Sequence, residues 1–217
     1  MSLFPFHIYF EITALLACIL FWSSAKDTDL RWFLPYLTLI VFVEVMGWYL
    51  PVFLGKTNAW LFNISVPIEY LFFAFIFYAH YAKPLNRKFA LIFIVLFSAY
   101  VICYSLIKGI YNFNTYYLLI GSLVMIILSV LYFSEQYSKT ETGNIWSEPM
   151  FWITTGVFLF NAGEFSYNFL SEFIVKNNLD PTISLFRLIN NKLIILFYLL
   201  IAIAFICLRN TKAYNKV

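Results

Sequence analysis

A small set of ionisable and amide side chains interrupts the long apolar stretches of this sequence. Nine stand out, and they are Glu11, Glu44, Glu69, Glu164, Arg187, Lys192, Asn161, Asn190 and Asn191. Because such groups are costly in an apolar environment, they usually face a cavity or one another and are candidates for function. The deep carboxylates of Glu44, Glu69 and Glu164 outnumber the one deep amine, that of Lys192. This excess predicts a site for a proton or for a small polar or cationic ligand.

Helical spacing places some of these residues on shared faces. His7 and Glu11 are four residues apart, which is about one helical turn. In a later segment, Thr154, Asn161, Glu164 and Asn168 form one stripe at spacings of seven, three and four residues. Each stripe predicts a polar helix face that is turned toward the interior of a helical bundle.

The last apolar segment carries both cations. One face of this segment carries Arg187, Asn190, Asn191 and Tyr198, whereas Lys192 projects to the side of it. The simplest arrangement places the segment among the four that bring carboxylates, so that the nine residues form one polar cluster. Within this cluster we predict an ion pair between Glu69 and Lys192, midway along their helices.

Other chemistries receive less support from the sequence. The two histidines, His7 and His80, are expected near opposite ends of their helices, roughly 30 Å apart at the helical rise, so we expect no metal site. The chain contains no Gly-x-Ser-x-Gly elbow, no His-Glu-x-x-His run and no glycine-rich phosphate loop. We therefore assign no catalytic residue and no cofactor, and the sequence favours a protein that is not an enzyme.

The composition defines the elements that must position these residues. Of 217 residues, 63% are hydrophobic and 12% are charged, whereas soluble domains carry about 45–50% apolar and about 25% charged residues. A water-soluble domain, a disordered chain and a nucleic-acid-binding module are thereby excluded. The chain is predicted to be an all-α integral membrane protein whose main partner is the lipid bilayer.

Seven apolar stretches are long enough to cross that bilayer. A helix needs about 20 residues to span a hydrocarbon core of about 30 Å. The predicted spans are 6–25, 32–54, 60–82, 89–107, 115–134, 149–170 and 184–208, and they form one transmembrane domain over residues 1–217. Continuous apolar runs favour a helical bundle over an outer-membrane barrel, so we expect the inner (plasma) membrane of a bacterium.

The basic residues predict an orientation. Nine Lys and Arg residues fall on the side of the first predicted connection, and at most five fall on the other side. Because cytoplasmic connections are enriched in Lys and Arg, the N-terminus is expected outside and the C-terminus inside. No Lys or Arg precedes the first span, which we therefore expect to be a retained helix and not a secretory signal. In this orientation the ionisable residues within the spans lie in the outer half.

An internal echo predicts a repeat. Pro35 and Pro149 stand in the first turn of the second and sixth spans. Each of these spans also carries a glycine close to a glutamate, since Gly47 comes three residues after Glu44 and Gly163 comes directly before Glu164. This pattern favours a 3+1+3 arrangement in which spans one to three and five to seven are parallel repeats around the fourth. Such bundles place their sites at the interface between repeats.

Two function classes compete at this stage. The connections are too short for a soluble domain, so the first class is a binding or sensory module that acts through a partner protein. The second is a small proton-coupled transporter, and the nearly bare inner half disfavours it because a transport path needs polar residues on both sides of the midplane. A lipid-modifying enzyme that uses His7 and the carboxylates ranks third, together with a purely structural role.

Overall fold

The chain folds into a bundle of α-helices. The computed structural model describes residues 4–111, 114–138, 145–180 and 184–214, with side chains for all of these except 171, 172, 175, 185, 186 and 210–214. The α-helices are α1 (Phe6–Leu20), α2 (Trp22–Ala25), α3 (Phe33–Leu54), α4 (Ala59–His80), α5 (Pro84–Lys108), α6 (Thr115–Tyr137), α7 (Pro149–Lys176) and α8 (Ser184–Tyr214). Short 3-10 helices cover Asp29–Trp32 and Ile145–Ser147, and the described residues form no strand.

Within the described residues, five helical segments are both long and apolar enough to cross a membrane. They are Asp29–Leu54, Ala59–His80, Pro84–Lys108, Thr115–Tyr137 and Arg187–Arg209. Helix α1 is apolar but has 15 residues, or about 22 Å at the helical rise, which is short of a 30 Å core. Helix α7 is long enough but carries more polar side chains, Asn161 and Glu164 among them. That the first and sixth predicted spans, which correspond to α1 and α7, cross the membrane therefore remains a prediction.

Helix boundaries differ from the predicted spans at a few points. The first predicted span is interrupted at Phe21, whose backbone leaves helical geometry between α1 and α2. Helix α5 begins five residues earlier than predicted, at Pro84, where a proline costs no hydrogen bond because first-turn N–H groups have no helical partner. Helices α7 and α8 run past their predicted ends, to Lys176 and Tyr214.

Successive long helices run antiparallel and define two ends of the bundle. The Lys56 end contains residues 55–58 and the starts of α1, α4, α6 and α8. Phe4 accordingly contacts Trp48 near the end of α3, at 5.1 Å between ring centroids. The Lys83 end contains residues 81–83 and the starts of α3, α5 and α7, and there Cys207 lies 3.8 Å from the carbonyl oxygen of Trp146.

Helix α8 occupies the position expected for the last span. It packs against α1 and α7. Its Phe205 contacts Phe33 of α3 at 5.8 Å between ring centroids, and its Phe197 contacts Phe73 of α4 at 5.5 Å. Each of these four rings is no more than 2% exposed, and Phe33 and Phe205 fill the Lys83 half of the bundle.

The Lys83 end is fixed by a buried carboxylate that the sequence analysis did not single out. Glu135 of α6 is 3% exposed. Its two oxygens accept hydrogen bonds from the backbone N–H groups of Ala82 (2.7 Å) and Lys83 (3.1 Å) and from the Asn86 amide (2.6 Å). Because these backbone groups precede α5 and have no helical partner, Glu135 caps α5 and ties it to α6.

An amide network fixes the Lys56 end in the same way. The Asn63 amide nitrogen donates to the carbonyl of Ile110 at 2.7 Å, and its oxygen accepts from the backbone N–H of Asn114 at 3.1 Å. Asn114 in turn caps α6 by accepting from Tyr116 N–H. This network holds the start of α6 against α4.

The outer surface of the bundle is apolar. Helix α5, for example, exposes large aliphatic side chains along its length, and these include Leu91, Ile92, Val95, Leu96, Ile102 and Leu106. A contiguous apolar surface of this kind is unstable in water but suits lipid. The fold therefore indicates a bilayer environment.

Candidate functional site

The carboxylates of four helices meet at one internal cavity. The cavity has a volume of about 300 Å³ and lies between α1, α3, α4, α6, α7 and α8, toward the Lys56 end. Its ionisable and amide lining consists of Glu11, Glu44, Glu69, Glu164, Asn168 and Asn190. Among the described residues that line it there is no Lys or Arg, so the cavity wall is acidic.

Aromatic rings form much of the remaining wall. Phe62 and Tyr70 of α4, Phe160 of α7, and Phe197 and Tyr198 of α8 all line the cavity. Ring faces carry partial negative charge and attract cations, more strongly where water is excluded. The carboxylates and the aromatic rings of this wall therefore both attract cations.

Glycines bring the helices close beside two of the carboxylates. A Cβ at Gly163, next to Glu164, would lie 2.3 Å from Leu193 of α8, so the absence of a side chain lets α8 approach α7. A Cβ at Gly47 would lie 2.9 Å from the ring of Phe62, which lines the cavity. The glycines that the internal echo singled out thus have a packing role.

Glu164 is held by a tyrosine of another helix. The hydroxyl of Tyr70 donates a hydrogen bond to Glu164 Oε2 at 3.0 Å. The Tyr70 ring is buried against Gly121 of α6, where a Cβ would lie 2.3 Å from the ring. Helices α4, α6 and α7 therefore meet at this pair, which is fixed by close packing.

His7, Glu11 and Glu44 form a second group at the cavity. One ligand atom from each of the three residues lies within 4.8 Å of the other two. His7 Nε2 is 3.5 Å from Glu44 Oε2. Glu11 is 1% exposed, and its Oε2 has no hydrogen-bond partner among the described residues. One imidazole and two carboxylates at this spacing can hold a metal ion.

The expectation of no metal site compared His7 only with His80. It did not consider one histidine together with two carboxylates. The four-residue spacing of His7 and Glu11 was the available signal, but their proximity to Glu44 depends on how α3 packs against α1.

Glu69 lies in a tyrosine environment. It neighbours the hydroxyl of Tyr36, which in turn neighbours Tyr198. None of these contacts has good hydrogen-bond geometry, because the Tyr36 oxygen is buried without a hydrogen-bond partner among the described residues.

The predicted contribution of the last helix is only partly present. Asn190 lines the cavity, but Arg187, Asn191 and Lys192 are exposed on the surface of the bundle. The predicted pair of Glu69 and Lys192 is wrong, since the two residues make no contact within ion-pair distance. The physical reason is rotational. The cavity face of α8 runs through Asn190, Ile194 and Phe197, and because each residue along a helix is turned by about 100° from the one before, Asn191 and Lys192 face away from the cavity.

Asn161 also lies away from the cavity. Its amide nitrogen donates to the carbonyl of Val157 within α7 at 2.8 Å, and its Oδ1 is buried without a hydrogen-bond partner among the described residues. Among the amides of α7, Asn168 lines the cavity instead and donates to the backbone carbonyl of Glu164 at 2.9 Å. The predicted stripe is correct in direction, but its cavity-lining part begins at Glu164.

Tyr36 and Tyr70 are the main site residues that sequence reasoning missed, whereas Tyr198 lies on the predicted stripe of the last segment but was not assigned to the site. Tyr36, Tyr70 and Tyr198 contact the carboxylates or line the cavity. A signal was present for Tyr70, which directly follows Glu69, and for Tyr198, which shares the stripe of Asn190 and Asn191. With 16 tyrosines in the chain, this signal did not separate site residues from packing residues.

Comparisons with known proteins return no relative. The fold and the cavity define an all-helical bundle that has five helices apolar enough to cross a membrane and an internal acidic site. No protein-family model matches the chain, and no characterised protein or solved structure is significantly similar to it.

Proposed function

We propose that this chain is a multi-pass membrane protein that binds a small organic cation in its acidic, aromatic-lined cavity and communicates occupancy to a partner protein. The observation that carries this proposal is the convergence of four carboxylates on one cavity, with no Lys or Arg among the described lining residues. A volume of about 300 Å³ falls at the lower end of the range of small-molecule sites, about 300–1,000 Å³.

Charge repulsion supports a cationic ligand. Glu11 and Glu44 offer oxygens within 4.8 Å of each other. Two ionised carboxylates at that distance repel by about 3 kcal/mol at an effective dielectric constant of 20. A bound cation or proton removes this repulsion, and the surrounding rings add a cation–π attraction of about 0.5–2 kcal/mol.

A purely structural role agrees less well with the hydrogen bonding. Glu135, which fastens α5 to α6, has partners on both oxygens. Glu11 is equally buried but leaves Oε2 without a partner among the described residues. Buried polar groups that only stabilise a fold are normally satisfied, so the unsatisfied oxygen favours a site that awaits a ligand.

Sensing is favoured over passage by the packing below the cavity. Phe33, Phe73 and Phe205 are each no more than 2% exposed and close the bundle toward the Lys83 end. A transport path would have to cross these rings. The described connections are too short to hold a signalling domain, so we infer that a ligand signal passes to a separate protein.

Orientation and repeat belong to the same proposal. We propose seven membrane crossings, N-terminus outside and C-terminus inside, in the inner membrane of a bacterium. The acidic cavity then lies in the outer half and is supplied from outside the cell. The 3+1+3 repeat stays a prediction, in which α5 links the two groups of three long helices.

Ligand-dependent stability tests the proposal. We would reconstitute the full chain in lipid nanodiscs and measure thermal unfolding with choline, ethanolamine and putrescine, which present quaternary, primary and paired ammonium groups. At least one should raise Tm in the wild type, and the rise should disappear in Glu69→Gln and Glu164→Gln. Asp29→Asn removes an exposed carboxylate outside the cavity and should retain the full rise.

No stabilisation by any of the three amines would overturn the proposal. An equal rise in Tm for wild type, Glu69→Gln and Asp29→Asn would do so as well, because binding would then lie elsewhere. Unfolding of each variant without ligand gives the baseline, so that a variant that fails to fold is recognised before ligand is added.

Proton-coupled transport is a second candidate, and one observation favours it. The cavity carboxylates are electrostatic neighbours in series, from Glu11 to Glu44 and Glu69 and from Glu69 to Glu164. Such a series can pass a proton between helices. Liposomes with an internal pH dye would then show proton movement with the same amines, and Glu69→Gln would abolish it. Binding without proton movement would leave sensing as the function.

A further inference from the structure

We propose that His7, Glu11 and Glu44 form a binding site for a divalent transition-metal ion at the Lys56 side of the cavity. This metal site would deepen the proposed function, and it rests on that function because both treat the cavity as a site for cations. It names one cation class and one set of ligands, which are separate from Glu69 and Glu164.

The spacing of the three residues fits metal coordination. Two ligand atoms bound at about 2.1 Å to a tetrahedral ion are about 3.4 Å apart. His7 Nε2 and Glu44 Oε2 already lie at 3.5 Å. A ligand atom of Glu11 lies within 4.8 Å of both residues, so a side-chain adjustment of about 1 Å closes the site.

Two helices position the ligands. His7 and Glu11 are one turn apart on α1 and therefore point from the same face. Glu44 comes from the middle of α3, which packs directly against α1. The site is thus built on regular helices, where side-chain positions are defined more precisely than on loops.

One carboxylate oxygen of the three residues is buried without a hydrogen-bond donor among the described residues. Glu11 is 1% exposed, lines the cavity, and has an Oε2 without a hydrogen-bond partner among the described residues. Nδ1 of His7 is buried without a partner in the described part of the chain as well, but the ring nitrogen near Glu44 is Nε2, so the need for a cation comes from the Glu11 oxygen. A buried carboxylate oxygen without a donor is unfavourable, and a metal ion would supply the positive charge that it lacks.

The donor set selects the class of metal. Ca²⁺ and Mg²⁺ prefer oxygen ligands alone, whereas an imidazole nitrogen with carboxylates suits Zn²⁺, Mn²⁺, Fe²⁺ or Co²⁺. Three protein ligands leave a fourth position open. Because Glu11 and Glu44 both line the cavity, that position is available to water or to a ligand within it.

The other carboxylates show that this arrangement is specific. Glu164 receives the Tyr70 hydroxyl at 3.0 Å, and Glu135 is bonded at both oxygens. The described residues contain no other group of three His, Cys, Asp or Glu side chains with this spacing.

Cobalt titration tests the site directly. The full chain in nanodiscs, stripped with a chelator, would be titrated with Co²⁺ alone and followed by visible absorption. We expect one Co²⁺ per chain, with the absorption band of a four- or five-coordinate ion, and displacement by Zn²⁺. His7→Ala and Glu11→Gln should each weaken binding by about 100-fold or more, since even loss of an outer-shell contact costs 10–100-fold.

Matched variants separate this inference from the proposed function. Glu164→Gln removes a carboxylate of the same cavity but none of the three ligands, so it should weaken Co²⁺ binding at least tenfold less than Glu11→Gln does. If Glu164→Gln weakens Co²⁺ as much as Glu11→Gln does, the general charge of the cavity holds the ion and the metal inference is overturned, while cation binding stands. If the triad binds Co²⁺ but no amine stabilises the chain, the proposed function fails and the metal site stands.

Two further outcomes are decisive. Absence of saturable Co²⁺ binding in the wild type overturns the inference, as does binding that survives His7→Ala unchanged. Should Glu11→Gln fail to fold, Glu44→Gln replaces it, because the Glu44 side chain is 25% exposed and its amide is tolerated more easily. Thermal unfolding without metal identifies such a failure.

Discussion

Replacing Gly121 with alanine should disturb the Glu164 end of the cavity through the ring of Tyr70. A Cβ at this position would lie 2.3, 2.4 and 2.6 Å from three ring atoms, whereas carbon atoms in contact lie about 3.5–4.0 Å apart. The ring must therefore retreat by about 1 Å or more. Because Tyr70 is 4% exposed, neighbouring side chains have to move with it.

The expected cost follows from two terms. Overpacking of a filled core costs about 1–3 kcal/mol. The Tyr70 hydroxyl lies 3.0 Å from Glu164 Oε2, so a shift of 1 Å removes that hydrogen bond, which is worth about 1 kcal/mol. We therefore expect Gly121→Ala to lower the free energy of unfolding by about 2–4 kcal/mol and to weaken ligand stabilisation.

Denaturant unfolding of the reconstituted chain, followed by tryptophan fluorescence, measures this loss. Gly156→Ala is the matched control, because its Cβ would lie 3.0 Å from the nearest atom of Phe197, and it should cost less than half as much. Tyr70→Phe removes only the hydroxyl and should cost about 1 kcal/mol. If Gly121→Ala is no more destabilising than Gly156→Ala, α6 does not pack on Tyr70 as described and the reasoning fails.

Three further predictions concern the frame around the cavity. Glu135→Gln should lower the free energy of unfolding by about 1–3 kcal/mol, because an amide cannot accept hydrogen bonds at both positions. The rise in Tm on amine binding should stay as in the wild type. Loss of that rise at an unchanged free energy of unfolding would contradict a purely structural role for Glu135. Asn63→Ala should cost about 1–2 kcal/mol in the same unfolding assay, since it removes two hydrogen bonds that tie α4 to Ile110 and Asn114 in the connection between α5 and α6. A neutral result would show that the network is dispensable. The orientation can be tested with a membrane-impermeant maleimide after the native cysteines are replaced by serine. The reagent should label Lys56→Cys on intact cells and Lys83→Cys only after permeabilisation. The reverse labelling pattern would show that the proposed orientation is inverted.

Much of the helical frame follows from the sequence because the signals are strong and local. Long apolar runs predict the helices, and charged or proline-containing connections separate them. The exact ends depend on tertiary contacts that local patterns do not contain. Helix α5, for instance, begins at Pro84 because Glu135, some fifty residues later, caps its start.

The cavity is a different case. The cost of burying a carboxylate is a property of one residue, so Glu11, Glu44, Glu69 and Glu164 could be selected from the sequence, and the structure brings all four to one cavity. Which polar residues accompany them depends on helix rotation and packing. Lys192 follows directly after two residues of the polar stripe, yet its rotation places it on the surface.

Tertiary proximity also explains why the histidine group escaped notice. His7 and Glu44 are separated by 37 positions, and only the antiparallel packing of α1 on α3 brings Nε2 and Oε2 to 3.5 Å. A search restricted to pairs of histidines could not find it. Mixed donor sets on neighbouring helices need the fold before they can be recognised.

The most direct test of the central claim compares choline with 3,3-dimethylbutan-1-ol, its uncharged isostere, in equilibrium binding to the full chain in nanodiscs. The two molecules have nearly the same shape and differ in charge. An acidic cavity that binds cations predicts that choline binds at least tenfold more tightly, a difference of about 1.4 kcal/mol, and that Glu69→Gln reduces this preference. Equal affinities for the two molecules, or a preference for choline that Glu69→Gln and Glu164→Gln both leave unchanged, would contradict the account.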